Sequence, residues 1–422
     1  MAPVFSTTNI STDQNELAME VMEKVALKHG LVCLLHEKPF AGVNGSGKHN
    51  NWSMATNDGQ NLLDPGCTPM ENMQFLTFLC AIIKGIDEYA DLLRISASSA
   101  GNDHRLGANE APPAIISIFM GEELQGVLDA LEAGTSYKSE SKVFEIGVDA
   151  LPDFPKDSTD RNRTSPFAFT GNRFEFRMVG SSDSIADPNT TLNAIVAEAF
   201  CEAADRLENA EDFDMAVHDL IKEYMTAHQR IIFNGDGYSD EWVKEAERRG
   251  LPNIRCMIDA AGTLTTEKSV RLFEKFGIFT KAELISREEI IYETYAKTLN
   301  IEALTMINMA NKKIIPAVIR YSKSLADTVI AVKDAGADAS VQRDILNTVS
   351  SKLITAKNAL LRLEEATAQA GTIKSAKDKA FFYKDTVKVE MDALRKPVDE
   401  LELIVDKSMW PMPTYGDLTF EV

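Results

Sequence analysis

The sequence predicts an α+β fold in which a part of mixed composition precedes an extension of long helices. Up to about residue 250, apolar runs typical of short strands alternate with helical patterns and with loops rich in Gly, Pro and Asn. From about residue 282 to 408, Gly and Pro become sparse, and Ala, Lys, Glu, Asp, Leu and Ile dominate. We therefore expect one domain at residues 1–250 and an α-helical C-terminal extension at residues 251–422.

The N-terminal elements are predicted from the spacing of apolar residues. Residues 13–29 place Leu17 and Val21 four positions apart, on one face of an expected helix. The apolar run LVCLLH at residues 31–36 predicts a short buried strand. Residues 40–69 are rich in turn-forming residues, so we expect a loop there.

The remaining elements of the mixed part follow from longer apolar patterns. Continuous or 3.6-periodic apolar stretches indicate helices, and β-branched or alternating runs indicate strands. The expected elements are a buried helix at 70–95, a strand at 112–119, a helix at 121–133, a strand at 174–179, and helices at about 188–208 and 212–233.

The C-terminal extension predicts three long helices, at roughly 286–333, 339–369 and 374–408. Breaks are expected near Gly336 and Gly371, because Gly commonly ends a helix. Short connections favour antiparallel packing of consecutive helices. No repeat of fixed period is visible, which argues against a solenoid.

The composition of the sequence indicates which classes of binding partner and which cellular compartment to expect. The 422 residues carry a net charge of −20, with 44 basic and 64 acidic side chains, which disfavours nucleic acid and anionic membranes as partners. The sequence contains no run of 18 apolar residues and starts without the pattern of a signal peptide. Five cysteines without a CxxC pair suggest a reduced protein without structural zinc. We therefore expect a cytoplasmic protein.

The segment HEKPFAGVNGSGKHNNWSM, residues 36–54, is the first candidate for chemistry. Its glycines allow a close approach of backbone to a ligand, and Asn and His side chains lie beside them. The spacing of Gly42 and Gly47 resembles a phosphate-binding P-loop, but His49 replaces the hydroxyl residue that would bind magnesium. By itself, the segment is more typical of a glycine-rich surface turn with a solvated histidine than of a P-loop.

The second candidate is the strand preceded by DRNRTSPFAFTGN. On this strand, Arg173, Glu175 and Arg177 share one face, and phenylalanines fill the other. Arginines around one carboxylate suit a site for phosphates and carboxylates. An ion-pair ladder on a solvated sheet face would explain the same pattern.

The third candidate, NDHRLGANEAPPA, places Arg105 and Glu110 in a loop that leads into a strand. Loops at such positions often carry substrate-binding groups. Taken alone, the loop is also explained as an ordinary turn with a surface ion pair.

Together and in this order, the three segments resemble glutamine synthetase. KPFAGVNGSGKHNNWS is similar to the signature loop of that family, RLGANEAP to its Arg…Glu-Ala-Pro segment, and NRTSPFAFTGNRFEFR to its Asn-Arg segment and Arg-x-Glu-x-Arg strand. The sequences of these segments resemble the long bacterial branch of the family, type III. The resemblance extends to FNGDGYSDEW at residues 233–242 and to the helical extension. The resemblance implies that residues 1–250 form part of a catalytic domain, a curved antiparallel sheet with flanking helices.

The resemblance implies an ATP-dependent ligase of nitrogen assimilation. Members of the family form glutamine from glutamate, ammonia and ATP through γ-glutamyl phosphate, with Mg²⁺ or Mn²⁺ as the metal. They assemble into ring-shaped homo-oligomers.

The resemblance also assigns roles residue by residue. The implied metal ligands are His49 and Glu175; the implied glutamate-binding residues are Asn44, Gly45, Arg105 and Arg177; the implied ATP-binding residues are Asn51, Ser53, Arg163 and Arg173; and the implied catalytic residues are Arg105, Glu110 and Arg163. Among the catalytic residues, Glu110 would close over the site and help to draw a proton from ammonium.

Two departures from the family pattern matter. Ala168 stands where many relatives have another arginine, and the N-terminal domain with several metal-binding glutamates is expected before Met1. We therefore expect a fragment that is inactive in isolation. The alternative is a non-catalytic homologue that acts as a binding or assembly module; a related γ-glutamyl ligase or guanido kinase is a third possibility. The intact set of His49, Glu175 and arginines favours the ligase.

Overall fold

The protein divides into two units in the computed structural model, which describes residues 6–35, 44–107, 111–133, 135, 143–144, 154–155, 164–413 and 417. One unit comprises His36–Ile291, and the other comprises Met1–Leu35 with Tyr292–Val422. Among the described residues, helices dominate and the strands form a four-stranded sheet and a two-stranded one, so the α+β class is confirmed. The boundary near residue 250 stays a prediction.

The helices of the described residues agree in part with the sequence patterns. They are α1 Thr8–Lys28, α2 Met73–Glu88, α3 Ala90–Ser96, α4 Glu122–Ala133, α5 Ala186–Glu208, α6 Phe213–His228, α7 Asp240–Arg248, α8 Met257–Ala261, α9 Glu267–Lys275, α10 Lys281–Met309, α11 Ile315–Asp334, α12 Ser340–Ala370, α13 Ala376–Phe382 and α14 Lys388–Glu402. Among them, none combines the length and the apolar character that crossing a membrane requires. The helix predicted at 70–95 is divided into two, those predicted at 286–333 and 374–408 are interrupted, and α7, α8 and α9 were not predicted.

The described strands form a four-stranded sheet and a separate pair. The strands are β1 Lys48–Trp52, β2 Ile118–Phe119, β3 Val143–Phe144, β4 Phe154–Pro155, β5 Phe167–Phe169 and β6 Phe174–Val179. The larger sheet has the order β1-β6-β5-β2, and β3 pairs with β4. Strands β1 and β5 run antiparallel to β6, but β2 is parallel to β5. The expected antiparallel sheet is therefore mixed.

The core of the first unit lies beneath β6. Phe174, Phe176 and Met178 are fully buried, as the alternation of this strand predicts. The ring of Phe167 on β5 stacks on Phe174 with centroids 4.6 Å apart. Helix α2 is buried along most of its length and packs against α5 and α6. This apolar layer fixes the sheet and leaves its other face for polar side chains.

The second unit contains the long C-terminal helices. Helix α12 packs against α11 and α14. The expected breaks at Gly336 and Gly371 are confirmed. A π-helical segment at residues 310–314 separates α10 from α11, next to Pro316, whose missing N–H interrupts the α-helical ladder. A second π-helical segment lies between α13 and α14.

Three local predictions were wrong. Residues 31–35 form no strand, and Val32 is 66% exposed. The predicted loop at 40–69 contains β1 within its described part, and its residues 40–43 lie outside that part. The expected strand at 112–119 is reduced to β2 and a single bridge at Ile115.

Candidate active site

Strand pairing brings the first and second candidate segments together. Asn51 of β1 lies opposite Glu175 of β6, and Lys48 lies opposite Val179. The register shifts between Lys48 and Asn50, so His49 occupies an irregular position of the ladder. Such an irregularity re-aims a side chain, and His49 here reaches Glu175.

His49, Glu175 and Arg177 form a contiguous charged cluster. The Nδ1 atom of His49 lies 3.0 Å from Oε1 of Glu175. The guanidinium of Arg177 donates to Oε2 of Glu175 from Nε at 2.9 Å and from Nη2 at 2.6 Å. Arg177 is almost fully buried, and Glu175 is half-buried. The cluster joins a predicted metal pair to a predicted substrate arginine.

The environment keeps Glu175 ionised. Burial by itself would raise the pKa of this carboxyl, but the hydrogen bond with His49 and the charge and hydrogen bonds of Arg177 outweigh it and lower the pKa to about 2. Glu175 is therefore an anion at neutral pH. An anionic carboxylate is the form that a divalent cation requires.

We expect Glu175→Gln to remove a pH-dependent part of the stability. Because the folded-state pKa of Glu175 is depressed, its contribution is present above pH 4.5 and is lost as the pH falls toward 2. The wild type should exceed the variant at pH 7 by about 1–3 kcal/mol. Denaturation midpoints of both proteins at pH 7, 4.5 and 3 measure this difference. A difference that is constant with pH would show that the carboxylate is not held in its charged form.

The side chain of Arg105 lies against the backbone of β6. Its side chain is buried, and its guanidinium donates to the carbonyl oxygens of Arg177 and Met178, both at 2.9 Å, and to Oδ1 of Asn102 at 2.8 Å. The side chain of Asn102 in turn donates to the carbonyls of Ala97 and Met178 at 2.6 and 2.7 Å. Arg105 and Asn102 thus fix the backbone of β6 directly behind the cluster. A role of Arg105 in binding glutamate stays a prediction.

Gly47 allows the first segment to approach β6. A Cβ atom at this position would lie 2.2 Å from the carbonyl oxygen of Val179 and 2.9 Å from Cζ of Arg105. The signature glycine therefore contacts protein backbone here.

The other predicted residues are distributed around the cluster. Asn44 and Gly45 lie in the segment before β1, and Arg173 immediately precedes β6. Asn51 is exposed on β1. The hydroxyl of Ser53 donates to Oδ1 of Asn61 at 2.8 Å, in a turn that borders the site. Glu110 and Arg163 lie outside the described residues.

Sequence reasoning missed the amide contacts that anchor β1 to α5. Nδ2 of Asn50 donates to Oδ1 of Asn189 at 2.8 Å, and Nε1 of Trp52 donates to Oδ1 of Asn193 at 2.9 Å. Asn189 and Asn193 lie four residues apart, on one helical face. The four-residue spacing of these two asparagines was the sequence signal that could have predicted a polar contact from this face of α5. These contacts orient β1, so its alternate residues face Glu175.

The pair His49 and Glu175 fits a divalent cation. An imidazole nitrogen and a carboxylate oxygen are both donors that a divalent cation accepts, once the imidazole is neutral and the carboxyl is ionised. Nδ1 and Oε1 lie 3.0 Å apart, at a hydrogen-bond distance, so the two donors lie side by side. Within the described part of the chain, no group of three or more His, Cys, Asp or Glu residues is arranged as a metal site. Metal binding by His49 and Glu175 therefore stays a prediction.

Two family models match the chain. The model described as "Glutamine synthetase, catalytic domain" matches residues 5–117, and "Glutamine synthetase C-terminal domain" matches residues 216–333. The first contains β1 and His49. The chain therefore belongs to the glutamine synthetase family.

Curated relatives match along the whole chain. It is 45% identical over 436 residues to "Glutamine synthetase" of Butyrivibrio fibrisolvens, 43% identical over 433 residues to "Type-3 glutamine synthetase" of Dictyostelium discoideum, and 39% identical over 434 residues to "Glutamine synthetase" of Bacteroides fragilis. Each match covers 100% of this chain but 61%, 58% and 60% of the respective relative. The chain thus spans about three fifths of the length of these relatives.

Proposed function

We propose that the chain carries catalytic residues of a glutamine synthetase that amidates glutamate at the expense of ATP. In this reaction the side-chain carboxylate of glutamate attacks the γ-phosphate of ATP to give γ-glutamyl phosphate, and ammonia then displaces phosphate. The observation that supports this proposal is the contact of His49 with Glu175 beside Arg177. This contact joins the proposed metal ligands to a guanidinium in one cluster.

The proposed roles follow from the chemistry of each group. His49 and Glu175 would hold Mg²⁺ or Mn²⁺, which supplies positive charge to the phosphate oxygens during transfer. Arg177 keeps Glu175 ionised and oriented through its two hydrogen bonds. Its location beside the metal pair also suits the proposed contact with a substrate carboxylate.

The other roles are proposed on the family's pattern. Asn44, Gly45 and Arg105 would complete the glutamate site, and Glu110 would accept a proton from ammonium. Asn51, Ser53, Arg163 and Arg173 would bind ATP. A ring-shaped homo-oligomer in the cytoplasm is part of the same proposal.

The test is metal-dependent glutamine formation from glutamate, ammonium and ATP. It is run on the 422-residue chain and on the product of the complete open reading frame that encodes it. Glutamine formation by the complete product, with equimolar ADP and phosphate, would support the proposal. A folded product that binds Mn²⁺ and ATP but forms no glutamine would favour a non-catalytic binding module instead.

We expect Arg177→Lys to raise the KM for glutamate by about 10-fold or more, with a smaller effect on the KM for ATP, because lysine lacks the planar fork that grips a carboxylate. Steady-state kinetics with each substrate varied, together with Mn²⁺ affinity, measure the effect. An unchanged KM for glutamate with weakened Mn²⁺ binding would show that Arg177 acts through Glu175 alone.

A further inference from the structure

A cavity of about 610 Å³ lies beside the segment FNGDGYSDEW and shares no residue with the candidate active site. Three arginines line it, Arg230, Arg248 and Arg249, together with Phe233, Asn234 and Gly235. We propose that this cavity binds the phosphate group of a small molecule through the guanidinium groups of Arg230 and Arg248. The proposal is independent of the proposed ligase reaction.

Arg230 is held in position by a buried carboxylate. Its Nε atom donates to both oxygens of Asp87, at 2.9 and 3.0 Å, and Asp87 also contacts Nδ1 of His228 at 2.8 Å. The side chain of Asp87 is only 2% exposed, whereas that of Arg230 is 44% exposed. Asp87 engages only Nε, and Nη1 of Arg230 donates to the backbone carbonyl oxygen of Arg249 at 3.4 Å. Among the described residues, Nη2 of Arg230 has no acceptor, so it is the nitrogen that we assign to the ligand.

Arg248 and Arg249 are organised by a single glutamate. Glu245 accepts from Nε and Nη2 of Arg248, at 2.7 and 2.6 Å, and from Nε of Arg249 at 2.6 Å. Nη1 of Arg249 is engaged by the backbone carbonyl oxygens of Arg230 and Ile232. Among the described residues, none accepts from Nη1 of Arg248, whose side chain is 73% exposed. Arg248 therefore offers a preoriented donor toward solvent and the cavity.

The wall of the cavity is rigid and partly aromatic. Phe233 stacks on Trp242, with ring centroids 3.7 Å apart, and a Cβ on Gly235 would lie 2.6 Å from Cζ of Phe233. Oδ1 of Asn234 accepts from the backbone N–H groups of Met120 and Gly121. These contacts fix the start of FNGDGYSDEW against β2 and α4. The cavity volume falls within the range of about 300–1,000 Å³ that is typical of small-molecule sites.

The arrangement of donors favours a phosphate over a single carboxylate. One guanidinium fork satisfies a planar carboxylate by two parallel hydrogen bonds. Here two arginines from different chain segments line one cavity, Arg230 after α6 and Arg248 at the end of α7. A tetrahedral phosphate presents several oxygens in different directions and can accept from both.

The test uses pyrophosphate as the probe and 5-fluorotryptophan as the reporter. The chain has three tryptophans, of which Trp52 lies in β1 of the candidate active site, Trp242 supports the cavity, and Trp410 lies in the other unit. Fluorine NMR titrations with pyrophosphate are recorded on the 422-residue protein. A chelator is present, so that metal-dependent binding of pyrophosphate at the candidate active site is suppressed. We expect a saturable shift of the Trp242 resonance only.

Arg248→Gln and Arg230→Lys should each weaken pyrophosphate binding by about 10-fold or more, because each removes a charged donor or its fork. Arg206→Gln is the matched control, since Arg206 makes a two-pronged ion pair with Glu223 outside the cavity. Wild-type affinity in Arg248→Gln, a shift of Trp52 without Trp242, or no saturable binding would each overturn the proposal. Binding of citrate but not of pyrophosphate would overturn the assignment to phosphate.

Discussion

Replacement of His49 by Ala is expected to abolish glutamine formation and to weaken binding of Mn²⁺. His49 supplies one of the two ligands that the described residues bring together, and its Nδ1 atom lies 3.0 Å from Glu175. Loss of a metal that stabilises charge by several kcal/mol in the transition state corresponds to a decrease in rate of about 1,000-fold or more. Glu175→Ala should have the same effect, because it removes the second ligand.

Two measurements separate this loss from a loss of fold. Electron paramagnetic resonance measures Mn²⁺ affinity on the 422-residue chain, and glutamine formation is measured on the product of the complete reading frame. His218→Ala is the matched control, since His218 is exposed on α6 and lies outside the cluster. If His49→Ala keeps the turnover and Mn²⁺ affinity of the wild type, the assignment of His49 as a ligand is wrong.

The sequence predicted those elements whose burial pattern is local. The alternation of FEFRMV gave β6 with its observed bounds, because Phe174 and Phe176 face the apolar layer and Glu175 faces the site. The long C-terminal helices were likewise predictable, since Gly and Pro are sparse within them, but their two π-helical interruptions were not. Strand β1 was not predictable, because KHNNW has weak strand propensity and becomes extended through its pairing with β6. The strand predicted from the apolar residues 31–35 is not observed. Apolar residues form a strand only where a partner strand is available to pair with them.

The geometry of the candidate site depends on contacts between distant parts of the sequence. The approach of His49 to Glu175 requires the β1–β6 register, which local periodicity does not encode. Resemblance to a family suggested that the two residues act together, but spacing alone did not. Similarly, the arginine at position 105 indicated an anion site from its residue type alone. In the structure, the guanidinium of Arg105 donates instead to backbone carbonyl oxygens of β6. Long-range hydrogen bonding of this kind is invisible to a pattern of residue types.

Gly47→Ala is expected to destabilise the sheet at the point where β1 begins. The added methyl group would lie 2.2 Å from the carbonyl oxygen of Val179, which belongs to the backbone and cannot rotate away as a side chain would. Lys48, the next residue, pairs with Val179, so the ends of β1 and β6 must separate. Overpacking of this kind costs about 1–3 kcal/mol. Because His49 follows in the same strand, Mn²⁺ affinity should fall as well.

Gly101→Ala is the matched control for this prediction. Gly101 has right-handed helical dihedral angles of −68° and −37°, and no atom lies within 4 Å of a Cβ built there. Alanine at this position should change the stability by no more than about 0.5 kcal/mol, whereas Gly47→Ala should lower the unfolding midpoint by several degrees. Thermal unfolding and Mn²⁺ titration of both variants measure the two effects. If Gly47→Ala matches Gly101→Ala in both measurements, the close approach to Val179 is not needed, and the glycine serves a ligand rather than the β1–β6 contact.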